Sequence, residues 1–572
     1  MKFKQLTSAA LLSVMLAVGA SCSSDNNMDP DNNSNLPDGN QVVSFIIQNA
    51  SDINTRADGD DVEGDDKFVD GTGAESEIDN VILVFFKNDG SFFTVKKPEF
   101  VKTSDGNWNH TQETVYSAEV SLTIKDGVRP TQVLCIINGE GKNYDLSNTS
   151  LIVSEASFMQ TKPTKQQILD AIGNFEVEID DEKTGPKEPL MMTNSVYLAQ
   201  GDNGTSQIYN LTKIPSTAFY MPGEDTEGHD IVHIDVERVN SKVHIISKLN
   251  EPANIEGAEV TFEGEIQQIT PKILSIKMGQ LTKKSYFVKS LNGYENYDVQ
   301  DWISQLYPRS YWATSPSLVP WNQLDKNGNF ADANSDYIYY TFDEMEDNSD
   351  ETEWTYYPQE NTTDYPTAII VKTTLVDEEG NELEDLIDVT GTRKIFITME
   401  SYKQMVSKDL VLLGLTYRKP GDNGSTIISE DWTSMIELQR TRDAEDQPFV
   451  VKPYLNYGSN PDKINETDLM AAVNALKDFP SVLCYKDGKS FFYVEINHDL
   501  LHINESGDLA RKKGLVRNHA YEITLKSLKG LGSPVFDPSQ IVIPGSPDEV
   551  LGLDAEIHPL KWRMIFQEAD LK

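Results

Sequence analysis

Cysteine is scarce in this chain, with three residues in a total of 572. Three cysteines cannot build a disulfide framework, so the fold must depend on its apolar cores. Cys135 and Cys484 each lie in a short apolar run, Val133–Ile137 and Val482–Tyr485, and we expect both to be buried as small hydrophobic side chains. Cys22 is different, because small residues precede it and serine and aspartate follow it.

Basic side chains are also few: 49 Lys and Arg stand against 91 Asp and Glu, a formal net charge of −42. A nucleic-acid ligand requires a basic face that neutralises its phosphates, so this composition argues against nucleic-acid binding. It also argues against docking on anionic lipid. The excess of acid favours a soluble, self-repelling surface exposed to the outside of the cell.

Long apolar runs are missing except near the N-terminus, where Lys2 and Lys4 precede the apolar segment 11–19. That segment is too short to cross a bilayer and is typical of a secretory signal peptide, which we place at 1–21. Small residues before a lone cysteine also fit a bacterial lipobox, with the lipid attached to Cys22. Lipid would then be the only membrane anchor of the precursor.

Catalytic and metal-binding motifs are missing as well. The sequence contains no His-Glu-x-x-His pair, Walker loop, Gly-x-Ser-x-Gly elbow or Cys-x-x-Cys pair. His229 with His233, and His498 with His502, have four-residue spacing, but both segments have the pattern of strands, in which that spacing does not favour zinc. We therefore expect no enzyme, no metal site and no cofactor.

The chain does contain many short apolar runs separated by turn residues. Val81–Phe86 and a second apolar run flank the turn sequence Asn88-Asp-Gly90, which predicts a hairpin. The sequences Asp487-Gly488 and Gly380-Asn381 mark two more turns of this kind. The pattern predicts an all-β fold of antiparallel sandwiches, with a few short helices in loops.

The length of the chain exceeds what one core can hold, so at least two domains are expected. A Pro-, Gly- and acid-rich loop at 221–228 precedes a strand-like segment and places a boundary near Asp235. We predict an N-terminal sandwich domain over 57–235 and a C-terminal sandwich domain over 236–552. The acidic stretch 307–365, which contains three tryptophans, is expected to be an insertion in the second domain.

Arg56 is the only Lys or Arg between Gln5 and Asp66, and it lies among Gly, Asp and Asn residues. A protease that requires a basic residue would find one site there, between Arg56 and Ala57, in exposed backbone. The polar segment 23–40 upstream cannot bury a core and is expected to be a tether.

Alternating apolar segments lie at both ends of the chain. In the first, the residues that share one face of a strand are Val43, Phe45 and Ile47. In the second they are Leu560, Trp562, Met564 and Phe566. Each segment could be an ordinary strand of its own domain. Their positions, one before a cleavage site and one after a Pro- and Gly-rich spacer, favour strand exchange between molecules by β-augmentation.

Several of these segments resemble the FimA-like fimbrillins of type V pili, and within them the stalk subunits of short (minor) fimbriae. The resemblance covers nearly the whole chain and is most specific at its ends. The segments that carry it are Cys22, 56–59, 189–193, 236–238, 516–518, 521–532 and 557–562.

The resemblance implies two transthyretin-like β-sandwiches, export as a lipoprotein and a cell-surface fimbria, with the precursor at the outer membrane. It implies that 22–56 is a lipidated propeptide and that an Arg-specific protease removes its strand, 42–48. The donor strand of another subunit, within 553–572, would then fill the vacated groove. The implied partners are copies of the chain itself, anchor and tip subunits, and the protease.

Two alternatives stay open at this stage. A tip or accessory subunit of the same pilus would need a groove but no donor strand. A surface glycan-binding lipoprotein is suggested by Trp312, Trp321 and Trp354 in the acidic stretch. The adhesion target cannot be inferred from the residues.

Trace trypsin is expected to cut the full chain first between Arg56 and Ala57, because no other basic residue lies between Gln5 and Asp66. Mass spectrometry of the larger product would locate the cut. At position 56, the variant Arg56→Ala should be cut neither by trypsin nor by an Arg-specific protease. The variant Arg56→Lys should still be cut there by trypsin but not by the Arg-specific protease. Early cutting elsewhere in both variants would contradict the assignment.

Overall fold

The computed structural model describes residues 36–564 apart from a set of gaps. The gaps are 50–67, 72, 104–114, 182, 184, 201–205, 225–227, 263–264, 293–312, 320–334, 393, 421–424, 442–449, 458–465, 497, 499–513 and 540–552. Cys22, Arg56, Ala57, Trp312, Trp321 and Phe566 lie outside the described residues.

The described elements are strands, four α-helices and short 3-10 helices at Gly73–Glu75, Ser216–Ala218, Pro252–Asn254 and Thr433–Met435. The strands of the first half are β1 (Gly39–Asn49), β2 (Phe68–Gly71), β3 (Val81–Phe86), β4 (Phe92–Lys96), β5 (Val101–Thr103), β6 (Val115–Ile124), β7 (Gln132–Ile137), β8 (Asn143–Leu146), β9 (Thr149–Ile152), β10 (Ile172–Asn174), β11 (Met192–Asn194), β12 (Tyr197–Gln200), β13 (Ser206–Tyr209), β14 (Thr212–Lys213) and β15 (Val232–Arg238). The later strands are β16 (Lys242–Ser247), β17 (Ile255–Glu256), β18 (Ala258–Phe262), β19 (Glu265–Gly279), β20 (Leu281–Thr282), β21 (Ser285–Tyr286), β22 (Tyr337–Ile338), β23 (Glu353–Tyr356), β24 (Ala368–Val376), β25 (Asp385–Val389), β26 (Ile395–Phe396), β27 (Tyr417–Pro420), β28 (Thr426–Ser429), β29 (Ile436–Thr441), β30 (Val450–Leu455), β31 (Val482–Lys486), β32 (Lys489–Glu495), β33 (His519–Lys529), β34 (Ser533–Pro534) and β35 (Leu553–Met564). The helices are α1 (Glu155–Thr161), α2 (Lys165–Leu169), α3 (Met399–Leu412) and α4 (Glu466–Lys477).

The first half is built on a nine-stranded sheet with the order β4-β3-β7-β11-β15-β1-β6-β5, in which β14 also pairs with β7. One face of this sheet encloses the front core, to which β1, β3, β6, β7 and β15 all contribute. The opposite faces of β3 and β7 pack against α1, α2 and the four-stranded sheet β21-β10-β8-β9, forming a back core. Strand β3 is therefore buried on both faces, which explains why Val81–Phe86 is apolar at every position.

The second half is a sandwich of two sheets. One has the order β2-β35-β33-β16-β23, and the other has the order β18-β19-β24-β32-β34. Between them lies a core with contributions from β16, β24 and β33, including Ile245, Val371 and Ile523, which are fully buried. The all-β sandwich fold expected from the sequence is thus confirmed.

A third unit lies between β24 and β32 and was not foreseen from the sequence. Its sheet has the order β26-β25-β31-β30-β29, and helices α3 and α4 pack against it. Its core is separate from those of the two halves and is centred on Trp432, which is fully buried. The apolar stripe Leu469, Val473 and Leu476 of α4 packs into this core. The helices therefore complete a unit of their own.

The boundary expected near Asp235 falls inside β15, which continues to Arg238. The chain leaves the first sheet only after Arg238 and enters the second half at β16. In the acidic stretch, Trp354 lies on β23 and is 8% exposed, packed against the core of the second half. No described helix is long and apolar enough to cross a membrane.

Trp432→Ala should destabilise the third unit by about 3–5 kcal/mol, because it removes a fully buried indole from a packed core. The indole also donates a hydrogen bond to the Leu415 carbonyl at 3.1 Å. Cys484 lies in the same core and burial raises its pKa to about 12, so its thiol reports opening of this unit. In a Cys22→Ser background, thiol labelling of Cys484 should accelerate while labelling of Cys135 does not. Equal acceleration at both thiols would contradict a separate third core.

Candidate functional site

Strand β1 occupies an interior position of the first sheet, with a neighbour on each side. It pairs antiparallel with β6 from Gly39 opposite Ile124 to Ile47 opposite Tyr116. On its other edge it pairs parallel with β15, from Phe45 opposite Val232 to Asn49 opposite Val236. This is the one parallel pairing among the described strands of that sheet. The observed strand is longer at both ends than the predicted segment 42–48.

The apolar side chains of β1 fill the front core. Val43, Phe45 and Ile47 are each 0% exposed, and the ring of Phe45 packs edge-on against Phe85 with a centroid distance of 5.9 Å. At ~1.5–3 kcal/mol for each fully buried side chain, these three contribute roughly 5–9 kcal/mol as an upper estimate. The apolar face of β1 is therefore an integral part of the first core.

Polar contacts fix the N-terminal part of β1 to the loop before β15. The backbone of Val42 exchanges two hydrogen bonds with Tyr220, at 2.8 and 3.1 Å. The Ser44 and Tyr220 hydroxyls lie 2.8 Å apart, and burial raises the pKa of the Tyr220 phenol. The Gln41 side chain, which is 1% exposed, donates to the Pro37 carbonyl at 3.2 Å. Sequence reasoning missed Tyr220, because this contact joins residues about 180 positions apart.

Removal of β1 would leave a slot bounded by β15 and β6. Adjacent strands lie about 4.8 Å apart, so these two strands would be separated by roughly 9.6 Å, the space that one strand fills. Both of their inner edges would carry unpaired backbone N–H and C=O groups above an apolar floor. Such an edge is a template for another strand and is costly to leave open. We call this space the β1 slot.

The predicted cleavage site lies in the segment that joins β1 to β2. The last described residue of β1 is Asn49, and the next described residue is Phe68, so Arg56 and Ala57 belong to the connection between them. Strand β2 does not join the first sheet; it pairs parallel with β35 in the second half. A cut in this connection would leave β1 as a separate peptide, held in the slot only by non-covalent contacts.

The C-terminal strand lies in the second half of its own chain. Strand β35 pairs antiparallel with β33 and parallel with β2, with Leu560 opposite Ala520 and Trp562 opposite Val69. Ala555 packs against the core of the second half. Leu560, Trp562 and Met564 lie an odd number of residues from Ala555, so they occupy the alternate positions of the strand.

Metal ligands are not gathered at this site. Within the described residues, no group of three or more His, Cys, Asp or Glu side chains is placed to hold a metal ion. His233 lies on β15 at the register position of Ile46, and burial lowers its pKa. The arrangement of the β1 slot is suited to binding a peptide strand through backbone hydrogen bonds and apolar pockets.

Comparison with known proteins gives only distant likenesses. No family model matches the chain, and no curated protein matches its sequence. A candidate cell adhesion protein from Bacteroides eggerthii is 11% identical, with a TM-score of 0.32, over 93% of this chain and 98% of that chain. A C-terminally truncated tip fimbrial protein from Porphyromonas gingivalis is 9% identical, with a TM-score of 0.28, over 91% and 100%. A fimbrial assembly protein from Parabacteroides distasonis is 11% identical, with a TM-score of 0.21, over 74% and 97%. Likenesses this distant do not assign a function.

Phe45→Ala should open the first half selectively, with a cost of about 3–5 kcal/mol, because a fully buried ring is lost from the front core. Cys135 lies in that core and burial raises its pKa, so its thiol is expected to be protected in the native chain. In a Cys22→Ser background, the labelling rate of Cys135 should rise by roughly 100-fold or more, whereas that of Cys484 should not. Ile46→Ala is the matched control, because Ile46 is only partly buried and points to the opposite face. Equal rates in the Phe45 and Ile46 variants would contradict the role of Phe45.

Proposed function

We propose that this chain is a structural subunit of a cell-surface fimbria that polymerises by strand exchange. The protein is exported as a lipoprotein through Cys22, and an Arg-specific protease cuts it between Arg56 and Ala57. Strand β1 then leaves its slot, and the C-terminal strand of another copy takes its place. The chain itself performs no catalytic step.

The observation that carries this proposal is the position of β1. Strand β1 supplies three fully buried side chains and lies between two neighbouring strands. Here it is followed by the segment that contains Arg56, and the next strand, β2, belongs to a different sheet. One cut would therefore separate an essential strand from its domain without breaking any other described strand.

The energetics explain why the intact precursor would stay monomeric. While β1 is covalently attached, it fills the slot at a very high effective concentration, and a second molecule cannot compete. After the cut, β1 is held in the slot only by its own contacts, to which its three buried side chains contribute roughly 5–9 kcal/mol. A strand of another copy, with apolar residues of its own, can then compete for the slot. The residues proposed for this role are Leu560, Trp562, Met564 and Phe566 of the next copy.

The alternating apolar residues of β35 suit it as the donor for a slot with an apolar floor and two open strand edges. The strand must leave its own sheet before it can enter another slot, and it then exchanges one set of ladder hydrogen bonds for another.

A stalk subunit fits this arrangement better than a tip subunit, because a tip requires a slot but no donor strand. Anchor and tip subunits and further copies of the chain are the partners that follow, at the cell surface and with the lipidated precursor at the outer membrane. The glycan-binding alternative is weakened by Trp354, which packs against the core of the second half and offers no exposed platform for a sugar ring.

The donor assignment is tested with the cleaved full chain and its variants. Trp562→Ser combined with Met564→Ser should leave folding and cleavage intact but abolish fibres, because the apolar stripe is lost. Deletion of 553–572 should also abolish fibres; because it removes β35 from between β2 and β33, circular dichroism first checks that the shortened chain folds. Lys561→Ser combined with Arg563→Ser is the matched control on alternate positions of the same strand and should still polymerise.

Fibre formation is measured by negative-stain electron microscopy and size-exclusion chromatography after trace trypsin. Fibres from the deletion variant would overturn the assignment of the donor strand. Fibres from uncleaved Arg56→Ala would overturn the proteolytic switch. Retention of the uncleaved wild-type chain on a glycan affinity gel, with no fibres after cleavage, would favour the glycan-binding alternative.

A further inference from the structure

Strand β15, which borders the β1 slot, and strand β33, which pairs with β35, meet at the junction between the two halves. The amide of Arg238 at the end of β15 donates to the Asn518 side-chain oxygen at 3.3 Å. The amide of Asn518, one residue before β33, donates to the Asn240 carbonyl at 3.0 Å. The Ser241 hydroxyl donates to the Val516 carbonyl at 3.1 Å. The strands beside the two exchange elements are thus bonded to each other.

Charged side chains are buried at this junction to an unusual degree. Glu237, Lys289, Glu360 and Arg517 are between 0% and 2% exposed. Lys289 lies 3.5 Å from Glu237, and the Nε of Arg517 lies 3.5 Å from Glu360. Arg517 also donates to the Tyr286 carbonyl at 2.6 Å. Burial raises the pKa of Glu237, and the charges of Lys289 and Arg517 act against that rise.

A second buried group adjoins the first. Glu75 is 2% exposed and pairs with Lys242 at 2.6 Å, and it accepts a hydrogen bond from the Tyr357 hydroxyl at 2.5 Å. The fully buried guanidinium of Arg238 donates to the Glu75 carbonyl at 2.8 Å and to the Ser76 hydroxyl at 3.2 Å. We use the name joint cluster for the charged members of both groups. They are Glu75, Glu237, Arg238, Lys242, Lys289, Glu360 and Arg517.

The members of the joint cluster come from both halves of the chain. Glu75, Glu237 and Arg238 lie in the first half, and so does Lys289, because Phe287 and Val288 beside it pack in the back core. Lys242, Glu360 and Arg517 lie in the second half, and the contacts Glu75–Lys242 and Arg517–Tyr286 join the two. Burying so many charges is costly, and an apolar junction of the same volume would often be equally stable. Hydrogen bonds differ from apolar contacts and from simple charge attraction in being directional, and those of Arg238 with Asn518, Tyr357 with Glu75 and Arg517 with Tyr286 cross the junction. A junction built from them accepts one relative orientation of the two halves.

We propose that the joint cluster is a rigid coupling that holds the strand beside the slot and the strand beside the donor at one fixed angle. This inference rests on the proposed function, in which each subunit receives a strand in its first half and donates one from its second half. The angle between the halves then sets the bend between successive subunits in the fibre. The competing explanation is that apolar contacts among Leu190, Tyr357 and Ala520 hold the angle, with the charges contributing nothing.

The coupling is tested first in the uncleaved full chain, independently of polymerisation. Spin labels at Lys125→Cys and Glu379→Cys, both exposed positions, report the distance between the halves in a Cys22→Ser background. The native Cys135 and Cys484 are buried and are expected to stay unlabelled. Double electron–electron resonance should show one narrow distance in the wild type. A broad or two-peaked wild-type distribution would overturn the proposal.

Charge-neutral variants then separate directionality from packing. Glu75→Gln combined with Lys242→Met keeps the side-chain volumes and should broaden the distance distribution about twofold, because the close ion pair that joins the two halves is lost. Glu360→Gln combined with Arg517→Met is the second variant, used if the first does not fold. The exposed pair Lys97 and Glu140, replaced as Lys97→Met with Glu140→Gln, is the matched control and should change nothing. An unchanged narrow distribution in a folded joint variant would overturn the proposal.

Fibres extend the test to the assembled state. Cleaved joint variants should still polymerise, but their persistence length should fall about twofold relative to the control variant. A persistence length equal to that of the control would overturn the coupling. If cleaved wild-type protein forms no fibres, the proposed function fails, while the distance measurement still decides whether the junction is rigid.

Discussion

The burial of one apolar strand face between β15 and β6 is the interaction on which the first half of this molecule depends. Phe45 and its two neighbours on that face close a core whose other walls come from strands far along the chain. Backbone hydrogen bonds on both edges of β1 fix its register between β15 and β6. A strand bound in this way can be replaced only by another strand, since nothing else satisfies both edges and the apolar floor.

The second half of the molecule is connected to the β1 slot through the junction of the two halves. Strand β15 carries one wall of the slot and ends at Arg238, where it meets the segment that leads into β33. Strand β33 in turn carries β35. The slot and the C-terminal strand are therefore at opposite ends of one hydrogen-bonded path, and the joint cluster lies at its middle. A polymer that exchanges strands between these two ends would inherit its shape from the junction.

The sequence could predict local structure, such as turns and the strands that flank them. The turn at Gly90 has a positive φ of 77°, which suits glycine, and the flanking apolar runs form the expected hairpin of β3 and β4. The third unit escaped prediction because its strands and helices are interleaved over about a hundred residues. Trp432 in particular gave no periodic signal, since it lies in an irregular segment between β28 and β29.

The order of residues along the chain determined the all-β character, the alternation that puts Val43, Phe45 and Ile47 on one face, and the burial of Cys135 and Cys484. Each of these follows from side-chain period and turn chemistry within a few residues. The tertiary structure alone decided that β1 pairs parallel with β15, and that Glu237 and Arg517 are buried together. Strand pairing and charge compensation join residues hundreds of positions apart, and a local pattern carries no information about which distant partner lowers the free energy most.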